Sequence, residues 1–115
     1  MRILVADDSP HLVLLYRAIL EDAGYDVVSV SNGMAAIAAV EGGDVDAAVL
    51  DVLMPGVSGD AIAERLQRTN PELPVLLMTG DYGEQFVVDV GAPVLHKPFA
   101  PEELVRAVRD LRPGA

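Results

Sequence analysis

The stretch ILVADDSP at residues 3–10 contains the pattern that the rest of the chain repeats. Four apolar residues lead directly into two adjacent carboxylates, and Ser9 and Pro10 then favour a helix N-cap and the first helical position. This order predicts a short buried strand that is followed at once by a helix. Adjacent carboxylates at the end of an apolar strand repel each other and lose hydration, so they need a positive charge nearby.

Short apolar runs alternate with helical patterns along all 115 residues. Helical spacing predicts a helix after each run, with a short fourth helix around residues 85–90 and a last helix that opens at Pro101. The runs are almost entirely apolar, as expected when helices cover both faces of a parallel sheet. We therefore predict an α/β fold with a doubly wound, five-stranded parallel sheet and five helices. The predicted strands are residues 3–6, 27–30, 47–50, 74–78 and 94–96.

The composition limits the classes of function that the chain can have. Its length suits one compact domain, which we place at residues 1–115, and is too small for two. The 18 acidic residues outnumber the 8 basic ones, and the net charge of −10 argues against nucleic acid as a partner of this chain alone. There is no cysteine to form a disulfide or a thiolate metal site, and no apolar run approaches the ~20 residues that span a bilayer. We expect a cytoplasmic location and no membrane partner.

Acidic, hydroxyl or ammonium side chains directly follow the first, third, fourth and fifth predicted strands. They are Asp7 and Asp8, then Asp51, then Thr79, and finally Lys97, which is the only lysine of the chain. Parallel strands point their carboxyl ends at one edge of the sheet, where ligands bind at the reversal of strand order. We therefore expect three carboxylates, a hydroxyl and an ammonium to converge at this edge.

This set of groups favours a divalent cation and a phosphoryl group as ligands. Three close carboxylates cannot all stay ionised beside a single lysine, and oxygen-only ligands favour Mg²⁺. Asp51 is placed to attack phosphorus as a carboxylate nucleophile and become an aspartyl phosphate. The metal, the Lys97 ammonium and the Thr79 hydroxyl would then balance the charge of the phosphoryl oxygens.

Four motifs in this order resemble the receiver domain of two-component response regulators. ADDSP at residues 6–10 is similar to the acidic pair of that family, and LDVLMPGVSG at 50–59 to its phosphoacceptor loop. MTG at 78–80 matches the hydroxyl position, and HKPF at 96–99 matches the lysine-proline motif. The resemblance covers essentially the whole chain, and it implies a flavodoxin-like receiver fold with strand order 2-1-3-4-5 and a cis Lys97–Pro98 peptide bond.

The resemblance also implies a role in a phosphorelay. Asp51 would accept a phosphoryl group from a histidine kinase or a histidine phosphotransfer protein, and a downstream protein partner would receive the signal. Such a domain catalyses its own phosphorylation and dephosphorylation without turning over an external substrate, so we predict a signalling domain and not an enzyme.

The resemblance assigns the metal and switch residues as well. Asp8 and Asp51 would bind Mg²⁺ directly, with Mn²⁺ as the alternative ion, while Asp7 would bind it mainly through water. The backbone carbonyl of Leu53 would complete the protein ligands. Thr79 would donate a hydrogen bond to a phosphoryl oxygen, and Lys97 would pair with that group.

Two features depart from the family pattern. Val94 stands where many receivers carry Tyr or Phe three residues before the lysine, and Tyr82, Phe86 and Phe99 are the candidate replacements. The segment 79–97 is about one helical turn (~3.6 residues) shorter than usual. We therefore expect the fourth helix to be less ordered than the others. In this respect the chain is more similar to single-domain regulators and receivers of hybrid kinases than to receivers of transcription factors.

Other interpretations remain open at the level of the sequence. A Mg-dependent phosphohydrolase would also use an aspartyl nucleophile, but it usually needs an acid two residues later, where this chain has Leu53. A nucleotide-binding module would need a glycine-rich turn after the first strand, which ADDSPH lacks. His11 and His96 have no partner at ligand spacing, so we expect both to be partly exposed. The last helix carries a stripe of arginines, which consists of Arg106, Arg109 and Arg112. This stripe is either a solvated face or a docking surface for an acidic partner.

Overall fold

The apolar runs form one five-stranded sheet in the structure, a computed structural model that describes residues 1–54, 57–80 and 92–111. The strands are β1 (Arg2–Ala6), β2 (Asp26–Val30), β3 (Ala47–Asp51), β4 (Val75–Thr79) and β5 (Val94–His96). All of them pair in parallel in the order β2-β1-β3-β4-β5, which confirms the predicted doubly wound sheet and its strand order. Asp51 and Thr79 are the last residues of their strands and not, as predicted, the first residues after them.

Four helices lie within the described residues, and they agree with four of the five predicted ones. They are α1 (Pro10–Asp22), α2 (Gly33–Glu41), α3 (Gly59–Thr69) and α4 (Pro101–Arg109). The short helix predicted around residues 85–90, and the hypothesis that its region is less ordered, lie outside the described residues. None of the helices in the described part of the chain has the length and apolar character that crossing a bilayer requires.

Helix α1 begins where the residue types of the first stretch predict. The Ser9 side chain accepts a hydrogen bond from the backbone N–H of Leu12 at 3.4 Å, and Pro10 is the first helical residue. An N-cap of this kind satisfies one of the N–H groups that a helix leaves unpaired, and proline has no N–H to leave unpaired. Only the cap residue Ser9 therefore separates α1 from the two aspartates that follow β1.

Alternate side chains of β1 point to opposite layers of the molecule. Leu4 and Ala6 pack with apolar residues of α2 and α3, whereas Ile3 and Val5 pack with those of α1 and α4. All four side chains are fully buried, and burial of a side chain the size of Leu or Ile contributes about 1.5–3 kcal/mol. Strand β1 is thus held from both faces, and its carboxyl end pairs with β3.

The strand order reverses at β1, since the chain goes from β2 on one side of it to β3 on the other. In open α/β sheets of this kind, the loops on the two sides of a reversal separate and leave a crevice at the carboxyl ends of the strands. Asp7, directly after β1, and Asp51, the last residue of β3, are therefore at the position where such folds bind ligands.

Candidate functional site

Three carboxylates meet at the carboxyl edge of the sheet. Asp7, Asp8 and Asp51 each offer an oxygen atom, and these atoms all lie within 4.8 Å of one another. Asp7 and Asp51 are buried, at 1% and 3% exposure, while Asp8 is exposed. In the described part of the chain no other group of three or more acidic or histidine side chains has this spacing. The predicted convergence of these three residues is confirmed.

Lys97 reaches the same cluster from the carboxyl end of β5, the outermost strand on one side of the sheet. Its Nζ lies 3.1 Å from Oδ2 of Asp7 and 3.2 Å from Oδ2 of Asp51, and its side chain is 17% exposed. The backbone N–H of Lys97 donates to the carbonyl of Thr79 at 2.7 Å, which ties the end of β5 to the end of β4. The Lys97–Pro98 peptide bond is cis, as expected. The only lysine is therefore a partly buried partner of two carboxylates.

The charges of this cluster do not balance. Three carboxylates and one ammonium leave a formal excess of two negative charges if all are ionised. Burial, reinforced by the charge of Asp7, raises the pKa of Asp51 above its ordinary value, although Lys97 opposes the shift. Burial acts to lower the pKa of Lys97, but the charges of Asp51 and Asp7 outweigh it and raise this pKa above the ordinary value. The lysine therefore stays charged, and the site favours an additional cation.

The donor set fits a divalent metal ion of the Mg²⁺ type. All three side chains offer hard oxygen ligands, and the uncompensated charge equals that of one such ion. Asp7 is constrained on both oxygens, because Oδ1 accepts from the backbone N–H of Ser9 at 2.9 Å and Oδ2 contacts Lys97. Asp8 has no such burial and faces solvent. The metal requirement that characterises receiver-like sites is thus compatible with the residues present.

The loop after β3 holds Asp51 through its backbone. The N–H of Leu53 donates to Oδ1 of Asp51 at 3.3 Å, and the N–H of Gly59 donates to the carbonyl of Val52 at 2.9 Å. A Cβ atom on Gly59 would overlap the carbonyl oxygen of Asp51 and approach the Cα of Val52 to 2.9 Å. The start of α3 can therefore lie against the strand end only if residue 59 has no side chain.

Thr79 is buried at the end of β4, next to the strand that carries Asp51. Its hydroxyl donates to the carbonyl of Gly80 at 3.4 Å. Leu53 is 44% exposed, and its apolar side chain offers no acid to the cluster. The structure thus places both residues around Asp51, while their predicted roles toward a phosphoryl group and a metal stay predictions.

The other singled-out side chains lie away from the cluster. His11 and His96 are both exposed, as expected. Arg106 and Arg109 are exposed on α4, and Arg112 lies outside the described residues. Among the three candidate replacements for the aromatic at Val94, only Phe99 lies within the described residues.

Sequence reasoning missed two residues of the site. Gly59 was only part of the quoted loop motif, and the available signal was a glycine directly before the helical pattern that follows the third strand. The spacing of Tyr16 from Leu12 and Leu20 fits the apolar face of the first helix, and nothing else in the sequence marks this residue. In the structure its ring is 3% exposed, with Lys97 Nζ 5.8 Å from the ring centroid and the ring of Phe99 stacked on it at 5.5 Å.

Comparison with known proteins agrees with this geometry. Residues 3–109 match the family of the response regulator receiver domain. The transcriptional regulatory protein TcrA of Mycobacterium tuberculosis is 41% identical over 96% of this chain and 46% of that protein. The alkaline phosphatase synthesis transcriptional regulatory protein PhoP of Bacillus subtilis is 32% identical over 96% of this chain and 48% of that protein. The chain therefore spans about half the length of the curated relatives it matches.

Solved structures show the same fold. A response regulator from Chloroflexus aurantiacus superimposes with a TM-score of 0.87 at 30% identity, covering 95% of this chain and 94% of that one. The chemotaxis response regulator CheY4 of Vibrio cholerae gives a TM-score of 0.83 at 29% identity, covering 94% of this chain and 95% of that one. With the family match over most of its length, the chain belongs to the response regulator receiver domains of two-component systems, which are signalling proteins rather than classical enzymes.

Proposed function

We propose that this receiver domain is a phosphoacceptor in which Asp51 takes a phosphoryl group from a histidine kinase or a histidine phosphotransfer protein. The observation that carries the proposal is the position of the Asp51 carboxylate, buried at a sheet edge between a second acidic residue and Lys97. A carboxylate in this setting is a nucleophile with a cationic partner already in contact.

In the proposed reaction, an oxygen of Asp51 attacks phosphorus and forms a new P–O bond. The P–N bond to the donor histidine breaks, and the electron pair stays on the imidazole nitrogen. Lys97 moves from the carboxylate to the incoming phosphoryl oxygens, and Thr79 donates its hydroxyl hydrogen bond to the same group. Because these groups belong to the receiver, we propose that the chain catalyses its own phosphorylation and dephosphorylation.

The receiver family is Mg-dependent, and we propose Mg²⁺, with Mn²⁺ as a substitute, as the cofactor of this chain. Asp8 and Asp51 would bind the ion directly, Asp7 through water, and Leu53 through its backbone carbonyl. The bound ion would offset negative charge on the phosphoryl oxygens. The two buried contacts of Asp7, to Ser9 and Lys97, support an indirect role for this residue.

We propose that the whole chain, residues 1–115, forms one receiver domain in the cytoplasm that signals to a protein partner. The curated relatives named above are transcriptional regulators of about twice this length, so DNA binding in a longer protein would belong to its other part. The net charge of −10 supports this separation, because it disfavours contact of the receiver with nucleic acid. The absence of an acid at Leu53 disfavours the alternative of a phosphohydrolase.

The experiment that tests the proposal is the intact mass of the protein after incubation with acetyl phosphate and Mg²⁺. We expect the wild type to gain one phosphoryl group and Asp51→Asn to gain none. Asp44→Asn is the matched control, because Asp44 is an exposed aspartate that precedes β3 at its other end. Equal gains in the wild type and in Asp51→Asn would refute the assignment of Asp51.

A further inference from the structure

One buried aromatic ring contacts both sides of the segment that follows β5. The ring of Tyr16, on α1, has the Lys97 ammonium 5.8 Å from its centroid. The ring of Phe99 stacks on Tyr16 with centroids 5.5 Å apart and an interplanar angle of 27°. Lys97 and Phe99 lie on either side of Pro98, so Tyr16 fixes this segment at two points.

The contact with Lys97 has the range of a cation–π interaction. An ammonium within about 6 Å of a ring centroid is attracted by the electron density of the ring face, and more strongly where water is excluded. Tyr16 is 3% exposed and the Lys97 side chain 17%, so the contact is largely shielded from water. The ammonium therefore has three supports, which are the carboxylates of Asp7 and Asp51 and the ring of Tyr16.

Phosphorylation changes the support from Asp51 and leaves the other two, the carboxylate of Asp7 and the ring of Tyr16, in place. When an oxygen of Asp51 becomes the ester oxygen of an acyl phosphate, that carboxylate loses its charge, and Lys97 must follow the charge to the phosphoryl group. Lysine has a flexible four-carbon stem, so a fixed ring in addition to Asp7 narrows the range of positions that the ammonium can take during this shift. The ring of Tyr16 attracts the ammonium both before and after the transfer.

A residue that only filled space in the core at position 16 would not need to be a tyrosine. Leu20, one turn further along α1, belongs to the same apolar cluster and is fully buried without any polar atom. A buried tyrosine adds a hydroxyl whose desolvation opposes folding unless it finds a partner. We propose that Tyr16 is a positioning residue, which holds the Lys97 ammonium at the acidic cluster through the face of its ring; its effect on phosphoryl transfer rests on the function proposed above.

The first test observes Lys97 directly and does not depend on phosphorylation. Because the chain has one lysine, ¹³C-labelled lysine gives a single side-chain spin system in the NMR spectrum. We expect the ring current of Tyr16 to shift the ε-methylene protons upfield in the wild type and in Tyr16→Phe, and the shift to disappear in Tyr16→Leu. Tyr25→Leu is the control, because Tyr25 packs on the same apolar cluster and precedes β2 at the opposite end of the sheet. A wild-type signal without the shift would overturn the proposal.

The second test measures the rate of phosphorylation by acetyl phosphate. We expect Tyr16→Leu to slow it roughly three- to thirtyfold, the range of one desolvated cation–π contact, and Tyr16→Phe to stay within about twofold of the wild type. In a Lys97→Met background, Tyr16→Leu should have no further effect, because a positioning residue acts through its partner. An unchanged rate in Tyr16→Leu, a Tyr16→Phe variant as slow as Tyr16→Leu, or an equal loss in both backgrounds would each contradict the proposal.

A third measurement covers the case in which Tyr16→Leu fails to fold. Phenylalanines with increasing numbers of fluorines at position 16 keep the shape of the ring and weaken its electron density. The rate should fall stepwise along this series, and a constant rate would overturn the proposal. If the wild type takes up no phosphoryl group at all, the proposed function fails instead, and the lysine spectrum still decides whether Tyr16 holds Lys97.

Discussion

Two sets of ion pairs in this molecule have similar lengths and different surroundings. At the carboxyl edge of the sheet, Lys97 Nζ lies 3.1 and 3.2 Å from Asp7 and Asp51, whose side chains are 1% and 5% exposed. Between α3 and α2, Arg65 and Glu41 are 3.3 Å apart, and their side chains are 48% and 58% exposed. Length therefore does not distinguish the two sets. Burial does, because water and salt screen the exposed pair and leave the buried charges strong.

The two sets also differ in their balance of positive and negative charge. The exposed pair joins one positive and one negative charge, so it has no residual demand for a ligand. The buried set holds more negative than positive charge. Its electrostatic free energy is therefore lowered when a cation binds or when an aspartate loses its charge. The same imbalance that opposes the stability of the metal-free domain would supply the proposed affinity for a metal ion and the proposed reactivity toward phosphorus.

The largest expected effect comes from removing the buried positive charge. Lys97→Met keeps the length of the stem and loses the ammonium, so the phosphoryl oxygens lose a preorganised cation. We expect the rate of phosphorylation by acetyl phosphate to fall by about a hundredfold or more, measured from the intact mass as a function of time.

Lys97→Arg is the matched control for this loss. It keeps the charge but replaces a compact ammonium with a planar guanidinium, so we expect only partial recovery. A Lys97→Met protein that reacts at the wild-type rate would show that the ion pairs of Lys97 have no catalytic role. The difference in burial between these pairs and the exposed pair would then have no functional consequence.

The next effect concerns the backbone that carries the buried set. Gly59→Ala places a methyl group on the carbonyl of Asp51, and backbone atoms cannot rotate away as a side chain can. We expect the free energy of unfolding to fall by about 2 kcal/mol, measured by urea denaturation. The expected loss of phosphorylation is separate and follows from displacement of Asp51.

Gly42→Ala is the control for backbone effects of alanine. The added Cβ at Gly42 would come no closer than 3.5 Å to another atom, and φ at this residue is −68°, which any residue adopts. We expect a change within about 0.5 kcal/mol. If the two alanine variants have equal stability, the close approach at Gly59 does not constrain the site.

Much of this arrangement could be predicted from the sequence, because it depends on local patterns. The apolar runs, the cap at Ser9 and the polar residues at the strand ends fix a parallel sheet and bring Asp7, Asp51 and Lys97 to one edge. The strand order and the cis bond before Pro98 came from the family resemblance. Short stretches of neighbouring residues carry all of these features, so no knowledge of side-chain packing was needed to predict them.

The parts that escaped prediction depend on contacts between distant segments. Tyr16 fits the apolar face of α1 whether or not a lysine lies over its ring, so spacing alone could not separate a core residue from a positioning residue. Gly59 contacts the carbonyl of Asp51 only because α3 begins against β3, which is a property of tertiary packing. The direction of the Thr79 hydroxyl, toward Gly80, likewise has no local signature.

A smaller effect is expected in the pH dependence of stability, which should differ between the buried carboxylates and ordinary surface carboxylates. The pKa of Asp51 is raised, chiefly by burial and then by Asp7, so the folded protein binds more protons than the unfolded one between the ordinary and the raised pKa. Stability in a metal chelator should therefore fall as pH rises through this window above about 4. We expect Asp51→Asn to remove this slope and to be more stable than the wild type at neutral pH, measured by urea denaturation at several pH values.

Lys97 does not interfere in that pH window. Its pKa is raised above its ordinary value, so its contribution to stability is complete at acid and neutral pH and disappears only in the strongly alkaline range. Addition of Mg²⁺ should reduce the difference between the wild type and Asp51→Asn, because the ion compensates the charge that the substitution removes. Asp44→Asn, at an exposed aspartate, should follow the wild-type curve. Parallel curves for the wild type and Asp51→Asn would indicate that burial does not disfavour the Asp51 charge.

The smallest expected effect belongs to the exposed pair. A double-mutant cycle with Arg65→Gln and Glu41→Gln removes each charge while keeping the size of the side chains similar. The coupling free energy should be at most about 0.5 kcal/mol, and it should decrease when the salt concentration is raised to 1 M, because both side chains are about half exposed. Thermal or urea unfolding of the four proteins gives the coupling directly. A salt-independent coupling above about 1 kcal/mol would show that this pair is stronger than its exposure allows, and burial would then no longer explain the difference between the two sets of ion pairs.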